Sequence, residues 1–521
     1  MWRLVARGAE ALAQSASSEA PIGQGVSKPI SGLMAAPAEA AQPGTTPLGL
    51  PPLPPETSLS PSDMVFMQNL TTAPGKFDQE VGFKGWDIPF PPSFDSITGN
   101  FGGYRSSLAN LGIGFSAWNV VIGSQNLLNV PRSGPTSPTT QATSKNPNPA
   151  PFTQQYWGQR VPSIADGLNF FFTYDLGRLG LHGGQLQFGS NISQSTDSQY
   201  MADRVLNVTT LGWYQSLFHD KVDFHIGILS TGNEFTGTAI GGNIANPFGP
   251  TALIPFAMGM STGNSAQPAA RVTWHITNNL YEEAGIMRSL PINGPSGDPF
   301  YDDKSYNPTG LRFSEPYGGV LSIDEVGYKT KPAPNFLNTW IRLGVMYNNS
   351  AFPDFRNLYT SRALGEPVSS ITKRGVTAYY ALIDQQIWQA APHSPFQGFR
   401  GVYVGASFMT APANNLAVSR YYEARIYGMG PFPSRPDDMV SLVYSRSELS
   451  NSLAKIVNFT TPFSGLASWN ETQTISGSYT YKITRGVMLT AGLSYTDHPS
   501  YSYSDGEGSD LAFNYALFMN F

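Results

Sequence analysis

The sequence predicts an all-β fold, a sixteen-stranded antiparallel transmembrane β-barrel of the bacterial outer-membrane type. Three observations predict it. First, the last stretch alternates: Leu511, Phe513, Tyr515, Leu517, Met519 and Phe521 are large and apolar, whereas Ala512, Asn514, Ala516 and Asn520 are small or polar, and only Phe518 breaks the rule. Period-2 alternation makes a strand with one greasy and one wet face, and this one is long enough to cross a bilayer at a tilt. Second, charged residues are 13% of the chain while aromatics reach 12%, and there are 53 Gly and 42 Pro. Soluble domains carry about twice that share of charge. A barrel dispenses with it because its outer wall meets lipid. Third, the connections between alternating runs are short and long in turn, as the two ends of a bacterial barrel require.

The same totals exclude other classes. The longest apolar run, Ala252 to Met260, is interrupted by Pro255 and Gly259 and is far too short for a membrane helix. A chain that spans without helices must close its sheet, since lipid cannot satisfy open strand edges. A mean hydropathy of -0.19 agrees, because half of each strand faces water. The net charge of -5 argues against a nucleic-acid partner. With no cysteine, a disulfide framework and a thiolate metal site are both excluded.

From the amino terminus, residues 1–13 (Met1-Trp2-Arg3 leading to Ala11-Leu12-Ala13) resemble the small-residue end of a signal peptide without its apolar stretch, and read as its remnant. Residues 14–75 are rich in Ala, Pro, Ser and Gly, and the run 48–55 (LGLPPLPP) favours polyproline. That composition buries no core and reads as a disordered Pro-rich extension, and 14–101 as a whole reads as this Ala/Pro-rich extension and an entry segment. From Gly102 the texture changes, and 102–521 reads as the barrel. Its strands are expected at 113–121, 167–175, 183–191, 204–218, 222–230, 270–276, 280–288, 316–328, 337–347, 375–389, 400–409, 421–429, 439–446, 473–483, 487–496 and 511–521. With Phe521 in the periplasm, 219–221, 277–279, 431–438 and 484–486 fall inside as short turns. The long segments 122–166, 231–269, 289–315, 348–374, 447–472 and 497–510 fall outside, with no break of parity. One outer loop is expected to fold inward, because sixteen strands otherwise leave a wide aqueous channel.

Several stretches resemble the OprB family of carbohydrate-selective porins, in the family's order. They are GGYRSSLANLGIGFSAWN (102–119), KVDFHIGILSTGNEF (221–235), YYALIDQQIW (379–388), ARIYGMGPFPSRPDDMVSLVYS (424–445) and ETQTISGSYTYKITRGVMLTAGLSYTDHPSY (471–501). The resemblance implies an outer-membrane channel passing monosaccharides by diffusion, with no cofactor. It leaves monomer and homo-oligomer both open. The implied partners are the sugar, outer-membrane lipid and the barrel-assembly machinery, which would engage the terminal strand ending at Phe521.

Strand parity selects candidate lining residues. Where the apolar face meets lipid, the opposite face lines the pore. That rule turns inward Tyr421, Glu423, Arg425 and Tyr427, then Trp340 and Arg342, then Asp384, Gln386 and Trp388. It also turns inward Asp223, His225, Arg271, His275 and Asp324, with Asp175 and Lys482. Aromatic rings can cover the C–H face of a pyranose, while Arg, Asp, Glu and Gln donate to or accept from its hydroxyl rim. The plainer reading is that these groups brace the wall.

An outer-membrane enzyme is the first rival. The six His show no metal-ligand spacing, and the one GxSxG string, 259–263, lies in a proposed outer loop rather than a strand-to-helix elbow. The other rivals are a general, weakly selective porin and a soluble β-rich binding protein.

Overall fold

The computed structural model describes residues 73–87, 90–128, 163–195, 204–236, 253–261, 263, 265–295, 299–363, 372–394, 396–464, 467–498, 502–503 and 509–521. The expected signal remnant and the polyproline stretch lie outside the described residues. Sixteen antiparallel strands close into one barrel in which every sequence neighbour is a spatial neighbour. They are β1 (Ile113–Asn126), β2 (Ser163–Asp175), β3 (Gly184–Ser195), β4 (Arg204–Leu217), β5 (Val222–Leu229), β6 (Gln267–His275), β7 (Leu280–Arg288) and β8 (Val320–Lys329). The second half continues with β9 (Thr339–Pro353), β10 (Thr372–Gln389), β11 (Gly401–Thr410), β12 (Val418–Met429), β13 (Met439–Leu449), β14 (Glu471–Thr484), β15 (Val487–Asp497) and β16 (Asp510–Asn520). All sixteen expected runs fall on these strands. β16 closes the ring against β1 in a continuous register from Trp118↔Asn520 to Asn126↔Ala512. Closure removes both sheet edges, which is the condition for standing in lipid.

The outer wall is apolar where the alternation places it. Leu343, Tyr379, Ile383, Ile426, Leu442 and Leu493 are all exposed on the isolated chain. Among the described residues, no helix is long and apolar enough to cross a membrane. The spanning is done by strands.

Among the described residues, two segments enter the barrel, one from each end. From the outside, the loop after β5 turns in at once. Its described residues 230–236 and 253–261, including helix α3 (Leu253–Ala257), bury Phe235, Ile254, Met258 and Met260 against Met287, Leu321, Ile323 and Met346 of the inner wall. From the periplasmic end, residues 73–87 and 90–112 enter, with helix α1 (Ala73–Val81) first and helix α2 (Tyr104–Asn110) last. The described part of the expected entry segment, 73–87 and 90–101, is thus folded within the barrel interior.

The path of this second segment can be followed by its bonds to the wall. Thr173 Oγ1 donates to Val81 O; Gln185 Nε2 donates to Gly82 O at 2.8 Å, and Gln187 Nε2 to Lys84 O at 2.8 Å. Arg271 Nη1 donates to Gly85 O at 2.7 Å. At its far point Asp87 N donates to Asn233 O at 3.1 Å, so the two inserted segments meet. The chain then returns. Asn520 Nδ2 donates to Pro92 O at 2.9 Å and to Asp95 O at 2.7 Å, Lys482 pairs with Asp95, and Arg105 donates to Phe521 O. The turn between β14 and β15 passes so close that a Cβ on Gly486 (φ 71°) would lie 2.5 Å from Ile97 N. Glycine is the residue that fits there.

The outer loops add α4 (Pro299–Tyr306), α5 (Phe355–Ala363) and α6 (Asn451–Ser464). α5 and α6 pack together through Phe355, Leu453 and Ile456.

Candidate functional site

Alternation along β9, β10 and β12 brings one charged network to the inside. Arg425 Nε lies 3.0 Å from Asp384 Oδ1 and its Nη1 lies 2.6 Å from Glu423 Oε1. Tyr427 OH donates to Asp384 at 2.9 Å and Tyr421 OH to Glu423 at 2.7 Å. Arg342 Nη2 is 4.0 Å from Asp384, and its guanidinium sits 3.8 Å above the ring of Trp340, which also carries Lys329 Nζ at 4.2 Å. Arg's planar group suits both the fork and the stack. Arg342 is 1% exposed, and Trp340, Asp384, Tyr421, Glu423, Arg425 and Tyr427 are equally hidden. The inserted loop covers this network from one side, and from the other Phe399 of the β10–β11 turn packs on Tyr403 and Tyr427.

A second group lies on β5–β7. His225 Nδ1 is 2.9 Å from Glu234 Oε1, and Arg271 approaches Glu234 and Glu283 at 3.4 Å each. Glu234 comes from the inserted loop, so this cluster ties that loop to the wall. Asp223 and His275 pair at 2.9 Å on the lumenal side of β5 and β6. Gln386 faces inward too, but toward the periplasmic turns: its amide bonds Asn338, Gly398 O and Arg400 O. Asp175 caps a short turn by accepting from Gly177 N at 2.9 Å.

Two candidates face away from the lumen. Trp388 is 50% exposed, because a β-bulge between Gln386 and Trp388 inserts one residue and reverses the parity beyond it. It stands on the outer wall near the periplasmic rim, where aromatic girdles form. Asp324 is likewise exposed, and Leu321, Ile323 and Glu325 take the inside of β8. The inserted loop is apolar here, so it draws Leu321 and Ile323 inward, against the usual rule.

Glu325 is the lumenal carboxylate that the alternation concealed. It accepts from Tyr281 OH and Tyr380 OH, each at 2.8 Å, and Trp340 Nε1 donates to Tyr281 OH at 3.1 Å. Both tyrosines lie across glycines of the neighbouring strand. A Cβ on Gly327 would come within 2.0 Å of the Tyr281 ring, and one on Gly344 within 2.0 Å of Tyr380. Tyr followed across the ladder by Gly was the available sequence signal.

The opposite wall is different. On β13–β16 the inward positions carry Ser441, Ser478, Thr480, Thr490, Ser494 and Asn514, joined by hydroxyl–hydroxyl contacts such as Ser441–Ser478 at 2.8 Å and Thr480–Thr490 at 2.8 Å. Ser441, Ser478 and Thr490, with Ala516 and Val120 beside them, keep partial exposure. The barrel interior is thus divided. One side is packed with paired charges and rings, and the other is faced with neutral hydroxyls.

The family model described as "Carbohydrate-selective porin, OprB family" matches residues 166–512. The chain belongs to the OprB family. The fold agrees: the high-pH structure of Pseudomonas putida OprB superposes with a TM-score of 0.64 at 16% identity, covering 82% of this chain and 98% of that one. Outer-membrane-expressed OmpT of Vibrio cholerae aligns with a TM-score of 0.42 at 11% identity, covering 78% of this chain and 97% of that one. No curated protein matches the chain. As an OprB-family barrel, the protein is an integral outer-membrane porin.

Proposed function

We propose that this OprB-family porin passes neutral monosaccharides of the glucose type by passive diffusion along the hydroxyl-faced side of its interior. The observation that carries the reading is the chemistry of the two walls. Ser441, Ser478, Thr490 and their neighbours offer donors and acceptors without charge. The charges of β5–β12 are already satisfied by one another, as in the Arg425–Asp384–Glu423 group. A neutral, hydroxyl-rich solute gains from such a lining, whereas an ion finds little unpaired charge to bind. Weak binding is required, because a tightly held solute blocks conduction. A dissociation constant in the millimolar range, about -4 kcal/mol, enriches sugar without trapping it.

Trp340, Arg342, Asp384, Glu423 and Arg425 act in this reading from beneath the lining, holding the wall in shape rather than stacking on sugar. The terminal strand ending at Phe521 is the proposed contact for the assembly machinery.

Single-channel conductance in planar bilayers tests the function. Glucose-like sugars in the high millimolar range should reduce the current, and disaccharides should do so less. A general porin for small polar solutes is the alternative, and an indifferent current at those concentrations establishes it.

A further inference from the structure

The segment that enters from the periplasmic end does more than fill space. It brings Phe83, Trp86 and Phe90 against Trp118 of β1 and Phe171 of β2. Four of these rings form two parallel pairs: Phe83 on Phe90 at 4.9 Å and 8°, and Trp118 on Phe171 at 4.6 Å and 13°. Trp86 is the odd ring out. It meets its four neighbours at 53–85°, so among the described residues no ring lies parallel to it, and its side chain is only partly buried. The next residue is Asp87, whose backbone N–H is bonded to Asn233 O of the other inserted segment. Asp87 Oδ2 is buried and accepts no hydrogen bond from the described residues. An unsatisfied buried acceptor is costly, and it is relieved by a donor arriving from elsewhere. Trp118 lies on the same inner face of β1 as Val120, which borders the hydroxyl wall.

We propose that Trp86 and Asp87 form a sugar subsite at the point where the two inserted segments meet, the indole covering the C–H face of a pyranose and the Asp87 carboxylate accepting from its hydroxyls. This rests on the sugar reading above and deepens it, since it assigns the specific contact to the amino-terminal segment rather than to the strands. A ring face beside a carboxylate acceptor is the pairing that a flat, hydroxyl-rimmed solute recognises.

The test uses the full-length barrel in bilayers. Trp86→Ala is expected to raise the glucose concentration for half-block about fivefold, the scale of one lost aromatic contact. Asp87→Asn, which keeps the shape and the acceptor but removes the charge, should raise it less. Because the chain has no cysteine, Trp86→Cys provides its sole thiol. A charged thiol reagent should then cut the conductance, and glucose should slow that reaction. If the unmodified barrel ignores glucose, the sugar reading falls and this subsite with it. If the unmodified barrel is blocked but Trp86→Ala and Asp87→Asn are blocked at the same concentration, the subsite alone is overturned. A thiol at position 86 that is unreactive, or equally reactive with glucose present, overturns it independently of the Ala variant's folding.

Discussion

At the scale of single residues, the buried ions make the sharpest prediction. Arg425 serves Asp384 and Glu423 together, and all three are hidden from water. Removing one partner of a buried pair leaves uncompensated charge, which costs about 3–5 kcal/mol. Arg425→Ala should therefore lower the urea midpoint of the reconstituted barrel strongly, followed by the shift between compact and extended forms on gels. A midpoint equal to that of the unmodified chain would mean that the network contributes little. Asp78 makes a second, pH-linked prediction. It sits at the neck of the inserted segment, accepting from Ser93 N at 2.7 Å and Phe94 N at 3.3 Å. Burial pushes its carboxyl from 3.8 up to about 7, while those hydrogen bonds and Arg105 pull the other way. The docked segment thus holds a proton that a released one would lose, so docking weakens as pH rises from about 4 to about 7 and is level above that. Amide protection factors across 73–95, with the base-catalysed intrinsic rate divided out, should be lower at pH 8 than at pH 5, and Asp78→Asn should flatten the difference. Protection that is higher at pH 8 would contradict the assignment.

At the scale of elements, the inserted loop after β5 is held by apolar burial. Met258 and Met260 are fully buried among Met287, Leu321, Ile323 and Met346. A carboxylate there would be buried without a partner, so Met258→Asp or Met260→Asp should unseat the loop, raise single-channel conductance and weaken sugar block. Conductance unchanged in both variants would show that the loop does not narrow the passage. These elements also show what the sequence made legible. Each strand carries its own period-2 signal, so all sixteen could be found locally. The apolar run 252–260 was visible as well, and inside an outer loop it demanded cover; what it packs on is a matter of tertiary contact that periodicity does not encode. GxSxG at 259–263 belongs to the same packing: Ser261 Oγ accepts from Thr231 N at 2.8 Å and holds the loop's turn. The bulge before Trp388 adds one residue without a marker such as Gly or Pro, so parity alone points Trp388 to the wrong face. On β8 both parities offered a carboxylate, Asp324 and Glu325, and only the apolar loop opposite decides between them. The amino-terminal insertion escaped because its rings are three to four residues apart, a spacing that signals neither strand nor lipid contact.

At the scale of the whole molecule, the division of the interior has an electrical consequence. The chain carries 31 basic and 36 acidic residues. Inside the barrel, Arg271, Arg342 and Arg425 each stand beside carboxylates, while the opposite wall is made of hydroxyls. A pore filters ions by rings of charge of one sign or by a strong focused field. Paired charges cancel at the distance of a passing ion, and what remains is screened over about 8–10 Å in physiological salt. The barrel should therefore show weak ion selectivity, with a reversal potential close to zero under a KCl gradient. Arg425→Ala, if it inserts at all, should move that potential toward cation preference by exposing Asp384 and Glu423, whereas Thr490→Ala on the hydroxyl wall should leave it unchanged and alter only the sugar block. A strongly anion- or cation-selective current from the unmodified barrel would mean that some of these charges face the water path unpaired, and the neutral-wall account of sugar passage would fail with it.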